Sequence, residues 1–380
     1  MSLRPAEPAD CAALSDLALR SKAHWGYDDA FVEACRDALT VHPEDLGGRV
    51  VRIAEVDGAI AGFFELIPGY GKGVVEKIFI APDHIGHGVG KALWRAMIGH
   101  AKERGVPFLQ VDSDPHAEGF YKAMGMRRVG EVPSTVFEGR NLPFLTCYLP
   151  GRVLGAAPDL DLRTGGEWAF ARDHAGDIDA AWARMTAANP ALYNGRMLLT
   201  VNWQYAAGRL DALFADVPYA AFLHWRDAGF PDTKASNIFG SAVVMSGDGA
   251  LLLGRMGGHT ANAGLIYPFG GSLEPMDVNE TGRADIAGSA RRELHEETGL
   301  DAVEAEIGPP LVVHDGPRIS VAFVMRFPDP ADVLLRRIDA TLAMQDPPEI
   351  ADVVVIRSQS DIDAGLMPGY TQALIGHLMD

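Results

Sequence analysis

The chain has 380 residues, 48% hydrophobic and 22% charged, with 51 acidic against 33 basic side chains and a formal net charge of −18. That length exceeds one ordinary hydrophobic core and predicts two or three domains, while the composition excludes a disordered, collagen-like or coiled-coil chain. The acidic surplus is 20 against 16 in residues 1–150 and 31 against 17 in the remainder; such a surface repels a phosphate backbone and argues against a nucleic-acid partner.

No apolar run approaches the roughly eighteen residues of a membrane span. The start lacks a basic region followed by an apolar one, so no secretory signal is expected. Cys11, Cys35 and Cys147 are odd in number and form no CxxC pair, which fits a reducing cytoplasm rather than a disulfide framework or zinc site.

In chain order, residues 50–56 and 60–67 read as adjacent strands joined at Asp57-Gly58. Residues 73–81 predict a third strand, followed by a glycine-rich loop, a helix near 90–104, a strand at 108–112 and a short helix through Phe120 and Tyr121. Turn formers crowd residues 150–158, which predicts a linker and a boundary near residue 155. Beyond it, residues 177–188 predict a helix stopped by Asn189-Pro190. Residues 196–203 predict a strand after the Asn194-Gly195 turn, and 240–246 with 250–255 predict a hairpin across Gly247-Asp248-Gly249.

Two segments carry chemistry. In Ile78-Phe79-Ile80-Ala81-Pro82-Asp83-His84-Ile85-Gly86-His87-Gly88-Val89-Gly90-Lys91, glycines let the backbone approach a ligand, and the amides of 86–91 open a helix N-terminus that favours an anion such as pyrophosphate. A tight turn that needs a flexible backbone is the other reading of such glycines. This stretch, with Val111 through Met126 and its Phe120-Tyr121-x-x-x-Gly125 ending, resembles the GNAT superfamily of N-acetyltransferases. It departs in having Ile85 where Gln or Arg is usual and Asp114 where Asn is common.

The resemblance implies an acetyl-CoA site made by Ile78, Ile80, Gly86, His87, Gly88, Val89, Gly90, Lys91 and Asp114, with Tyr121 protonating the leaving thiolate. Glu76 reads either as the base that deprotonates an amine acceptor or as a solvent-facing strand residue. The mixed segment Ser21–Asp28 fits either the lining of an acceptor pocket or a helix end.

In Arg292-Glu293-Leu294-His295-Glu296-Glu297-Thr298-Gly299-Leu300, Glu296 and Glu297 fall about 60° and 40° to either side of Glu293 on a helix, so three carboxylates crowd one face. Ala287, Ala290 and Leu294 form a separate apolar stripe, Asp285 can cap the N-terminus and Gly299 can end the helix. The mutual repulsion of the carboxylates favours a hard divalent cation, Mg²⁺ or Mn²⁺; a solvated acidic face is the plainer reading.

The pattern resembles the second half of the Nudix hydrolase box. Pro268-Phe269-Gly270-Gly271 resembles its opening, but after five intervening residues from Gly271 stands Asp277 in place of Glu. Fourteen residues then separate Asp277 from Arg292 where seven are usual, and Ala284 occupies the position reached by counting back. The resemblance implies that Glu293, Glu296 and Glu297 hold the metal, with Glu296 also catalytic, and that Arg292 orients the helix. Glu349 reads as a general base or an exposed loop acid, and His259, Thr260 and Asn262 are candidates for the substrate pocket. The segment with Trp182, Asn189-Pro190 and Asn194-Gly195-Arg196 is faintly similar to an extension in UDP-sugar diphosphatases.

The expectation is therefore an α/β and α+β protein of two domains. A GNAT fold, a mixed central sheet flanked by helices, spans 1–152. A linker and extension at 153–235 lead into a Nudix α/β/α sandwich at 236–380. The expected ligands are acetyl-CoA, an amine acceptor, a divalent cation and a nucleoside diphosphate derivative, with no membrane partner. The alternative is an acetyltransferase joined to a nucleotide-binding, non-hydrolytic regulatory domain.

Overall fold

The computed structural model describes residues 1–69, 71–188 and 192–379. The chain divides into two compact units, Met1–Leu149 and Pro150–Asp380. No helix among the described residues is long and apolar enough to cross a membrane.

The first unit contains β1 (Ser2–Pro5), α1 (Cys11–Ala23), α2 (Asp29–Ala34), α3 (Arg36–Leu39), β2 (Val50–Val56), β3 (Ala59–Ile67) and β4 (Gly73–Ile80). It continues with α4 (Val89–Glu103), β5 (Phe108–Asp112), α5 (Glu118–Ala123), β6 (Arg127–Pro133) and β7 (Asn141–Tyr148). Its seven strands lie in the order β1-β2-β3-β4-β5-β7-β6. Period-two alternation on β3 covers both faces: Phe64 packs with Leu93, Trp94 and Met97 of α4, while adjacent Phe63 packs with Leu14 and Leu17 of α1. The turn after β2 uses Asp57 and Gly58, both at positive φ (52° and 80°), as a tight hairpin requires.

β4 and β5 run parallel but pair only at Gly73↔Leu109 and Val74↔Gln110. Past Val74 the described pairing leaves that edge of β4 open, and the strands part. A cleft of about 260 Å³ opens there.

The second unit begins with β8 (Arg152–Ala156) and β9 (Asp159–Arg163), so the expected linker at 150–158 is partly strand. β8 is an edge strand on the sheet, paired antiparallel with β16 (Leu311–Asp315) across a register shift. Edge strands tolerate glycines and irregular pairing, which explains how turn-rich sequence came to be strand. There follow α6 (Ala169–Asp173), α7 (Ala175–Ala188), β10 (Arg196–Ala206), β11 (Arg209–Pro218) and α8 (Tyr219–Asp227). The expected stop at Asn189-Pro190 lies outside the described residues.

β12 (Asn237–Met245), β13 (Leu251–Met256), β14 (Ile266–Tyr267), α9 (Ile286–Thr298), β15 (Glu306–Ile307), β16, β17 (Arg318–Arg326), α10 (Ala331–Leu342), β18 (Ile350–Ile356) and α11 (Gly369–Leu378) complete the unit. The larger sheet has eight strands with the main path β14-β13-β12-β17-β16-β8, and β15 and β18 joined at β17 and β13. Phe239 of β12 meets Tyr370 of α11 edge-on at 5.2 Å. The next residue, Gly240, lies against Ile286 and Ala290 of α9. Alternation therefore places α9 and α11 on opposite faces of the sheet.

Residues 153–235 are packed into the unit rather than hanging apart from the larger sheet. In the three-stranded sheet β10-β11-β9, Leu198, Leu210 and Phe214 belong to the core of the larger sheet. Their neighbours Met197, Leu199, Ala215 and Val217 pack with Trp168 and Trp225.

Candidate functional site

In the first unit, the loop after β4 turns through two left-handed glycines, Gly86 (φ 84°) and Gly88 (φ 86°). A Cβ at either would meet no atom within 4 Å, so open space lies before the loop and its amides. Gly88 is the N-cap of α4. The amides of residues 86–91 thus open a fifteen-residue helix, whose partial positive charge suits an anion. This is the form a pyrophosphate cradle requires.

Val89 is buried as the first helical residue, and the His87 ring Nδ1 lies 3.1 Å from the Ile85 carbonyl. Gly90 has a packing role, because a Cβ there would come 3.0 Å from the Phe120 ring. Lys91 is exposed, and Ile78 and Ile80 are half-buried on the part of β4 whose edge is open.

Glu76 and Ile78 on β4, and Asp114 and Tyr121 beyond β5, all line the cleft. Tyr121 is buried between Trp94 and Phe120, with ring centroids 6.1 and 5.3 Å away. Burial, reinforced by the Asp114 charge, pushes its phenol far above the usual value, so it stays protonated and can serve only as a donor of its proton. Lys77 also lines the cleft, but its ammonium is committed to buried Glu65 at 3.0 Å.

Asp112, at the end of β5, is a lining carboxylate that sequence reasoning missed. Burial raises its pKa, against the pull of Lys72. Its only sequence signal is its position at the end of the strand facing β4, which is visible only once the two strands are known to part.

Asp114, expected at the cofactor, holds a network from the segment left open in the sequence. It pairs with Lys22 and accepts from Tyr27 Oη at 3.0 Å and from the His116 amide at 2.9 Å. Burial pushes this carboxyl up, but those hydrogen bonds and the Lys22 charge outweigh it and leave its pKa below the usual value. Arg140 Nη2 donates to Tyr27 Oη at 2.9 Å and lies 3.5 Å from Asp114.

In the second unit, α9 forms as its caps predict. Asp285 accepts from the Gly288 amide at 2.9 Å, and Gly299 ends the helix at φ 69°. Ala290 and Leu294 are fully buried. The three carboxylates separate by depth: Glu297 is buried, Glu293 largely so, and the Glu296 side chain is 58% exposed. Burial, then the charges of Glu349 and Glu293, raise the Glu297 pKa well above the carboxylate range; Glu293 is raised by burial too. Glu349, on the loop before β18, thus stands within electrostatic reach of both. His259, Thr260 and Asn262 lie on the loop between β13 and β14; Thr260 Oγ1 donates to the Gly257 carbonyl at 2.9 Å and Asn262 Nδ2 to Tyr267 Oη at 3.2 Å.

The long spacing in front of α9 resolves into a closed excursion. Val278 bridges Ala284, the Asn279 amide donates to the Arg283 carbonyl, and the Asp285 amide donates to the Asp277 carbonyl at 2.7 Å. Residues 278–284 leave and return at one point, and Asp277 arrives beside the helix. Its buried carboxylate accepts from Arg292 Nη2 at 2.9 Å, while Arg292 Nη1 reaches Glu293 at 2.8 Å and Glu296 at 3.3 Å.

Among the described residues no three or more His, Cys, Asp or Glu side chains stand in an arrangement that could hold a metal ion. Arg292 draws Glu293 and Glu296 to itself, and Glu297 accepts from the Gly270 amide at 3.0 Å. Hard carboxylate oxygens are the donor type that a divalent cation such as Mg²⁺ takes, but these are not gathered into a site in this arrangement.

Residues 13–126 match the acetyltransferase (GNAT) family. The L-amino acid N-acyltransferase MnaT of Escherichia coli is 29% identical over 114 residues, which are 28% of this chain and 65% of that protein. A GCN5-related N-acetyltransferase from Rhodopseudomonas palustris is 25% identical, with a TM-score of 0.34 over 39% of this chain and 95% of its own. An N-acetyltransferase from Thermoplasma acidophilum in complex with coenzyme A is 16% identical, with a TM-score of 0.32 over 38% and 96%. The match to the acetyltransferase (GNAT) family covers 114 of the 380 residues and lies within the first unit.

Proposed function

We propose that the first unit transfers an acetyl group from acetyl-CoA to an amine. The observation that carries this reading is the cleft where β4 and β5 part, lined by Tyr121, in the unit whose glycine loop before α4 is open. When bound, acetyl-CoA supplies the acetyl group as a thioester. The amides of 86–91 hold its pyrophosphate, and the open edge of β4 at Ile78 and Ile80 offers backbone groups to an extended ligand. Glu76 or Asp112 accepts the proton of the attacking amine as the C–N bond forms. Tyr121 Oη gives its proton to the thiolate as the C–S bond breaks.

Coenzyme A binding followed by calorimetry tests the cradle, and acetyl-CoA-dependent acetylation of amines tests the chemistry. Absence of both would overturn the reading.

For the second unit we infer a Nudix-type hydrolase that cleaves a nucleoside diphosphate linked to a further group, with 153–235 as its extension and 236–380 as its core. The pair Asp277–Arg292, restored in space despite the longer loop, favours it. A bound divalent cation would neutralise phosphate charge and activate water. Glu293, Glu296 and Glu297 would hold it, Arg292 with Asp277 would orient the helix, and Glu349 would take the proton.

Phosphate release from nucleoside triphosphates, nucleotide sugars, dinucleotides and coenzyme A, with and without Mg²⁺, tests this beside a Glu296→Gln variant. Metal-dependent turnover lost in the variant supports the hydrolase. Tight nucleotide binding without turnover would replace it with a regulatory module. Buried, unpaired Cys11, Cys35 and Cys147 accord with a cytoplasmic enzyme.

A further inference from the structure

We propose that the Lys22–Arg140 wall of the cleft selects amine acceptors that also carry an anionic group, in the manner of an α-amino acid, and rejects polycationic amines. This rests on the acetyltransferase reading of the first unit and adds the acceptor's chemistry to it.

Two cations face one carboxylate in this wall. The side chains of Lys22, Asp114 and Arg140 are only 12%, 17% and 22% exposed, so the surplus positive charge is largely withdrawn from water. A partly desolvated surplus of that sign attracts an anion and repels a second ammonium.

The cations are also held in place. Tyr27, Phe31 and Phe137 form a continuous stack, with successive centroids 4.3 and 4.2 Å apart and planes within 9°. Lys22 Nζ lies 4.9 Å from the Tyr27 centroid, and the Arg140 guanidinium lies 4.8 Å from that of Phe31.

Asp114 does not exhaust Arg140. The described hydrogen bonds use only its Nη2, on Tyr27 Oη, and the remaining N–H groups of a planar fork match a carboxylate. Glu76 and Asp112 line the same cleft and supply acids for the ammonium end. One cleft thus offers cations to one end of a zwitterion and carboxylates to the other, at a volume near 260 Å³ that suits a molecule of amino-acid size.

The test uses the full chain with acetyl-CoA and three acceptor sets: the common α-amino acids, their amides, and a polycationic aminoglycoside. Removing the carboxylate removes hydrogen bonds to a charged group, so the best amino acid should exceed its own amide by about 10- to 100-fold in kcat/KM, and the aminoglycoside should not be acetylated. Arg140→Gln should collapse that acid-to-amide ratio towards unity, chiefly through KM for the acid, and Arg140→Lys should restore part of it.

Equal turnover of acid and amide, efficient acetylation of the aminoglycoside, or a ratio unchanged in Arg140→Gln would overturn the proposal. If coenzyme A binds but only amines without an anion are acetylated, the acceptor chemistry alone fails. If coenzyme A does not bind, the acetyltransferase reading fails with it.

Discussion

Tyr121 joins two properties that a proton donor to a thiolate needs: it is buried, and its raised pKa keeps the proton on oxygen across the physiological range. Tyr121→Phe keeps the ring among Trp94 and Phe120 and removes only the hydroxyl. Acetylation should slow by about 10²- to 10⁴-fold, the usual worth of a positioned general acid, while coenzyme A affinity changes little. Unimpaired turnover in that variant would remove Tyr121 from the mechanism. Gly88 should fail differently. At φ 86° any side chain is strained by about 1–2 kcal/mol, and a Val there also fills the open space before the cradle. Gly88→Val should therefore lose coenzyme A binding, as measured by calorimetry. Cys147 shows burial acting alone: its thiol is pushed up to about 12, so iodoacetamide at pH 8 should spare it until the chain unfolds.

Among the elements, those whose signals are local were readable from the sequence. The strands at 50–56 and 60–67, the glycine loop and the caps of α9 each depend on residues a few positions apart, and the structure places them at Val50–Val56, Ala59–Ile67, Gly86–Gly90 and Asp285–Gly299. What was hidden depends on distant partners. β8 is a strand only because β16 lies beside it, and Asp112 faces a cleft only because β4 and β5 part. Lys22 and Arg140 are 118 positions apart, so no window on the sequence shows them sharing one aromatic stack.

The hairpin of β12 and β13 is held at its turn by Asp248, which accepts from Ser246 Oγ, the Ala331 amide and Arg357. These donors, Ser246 foremost, lower its pKa to about 2. The unfolded chain takes up this proton near pH 4 and the folded chain only near 2, so the stabilisation is complete above about pH 4 and fades as pH falls through that window. The difference in Tm between the native chain and Asp248→Asn should be present at pH 7 and vanish near pH 2. A difference that persisted in acid would assign the effect to packing instead.

At the scale of the molecule, the chain falls into two units with their own cores. Residues 1–149 expressed alone should fold and bind coenzyme A, with a far-UV circular dichroism spectrum of mixed helix and sheet; failure to fold would mean that the remainder is needed for its stability. In the second unit, the Asp277–Arg292 pair acts on α9 from outside it. On the hydrolase reading proposed above, Asp277→Ala should lower phosphate release by about 10- to 100-fold through the orientation of Glu293 and Glu296, without changing which substrates are cleaved.

The closed excursion at 278–284 also separates two quantities that a linear pattern treats as one. Because the chain re-enters beside its own exit, with the Asp285 amide 2.7 Å from the Asp277 carbonyl, loop length and site geometry vary independently. Chains whose excursions differ in length can present the same carboxylate and arginine to the same helix, so a search for such sites is better posed as a distance between anchors than as a count of residues.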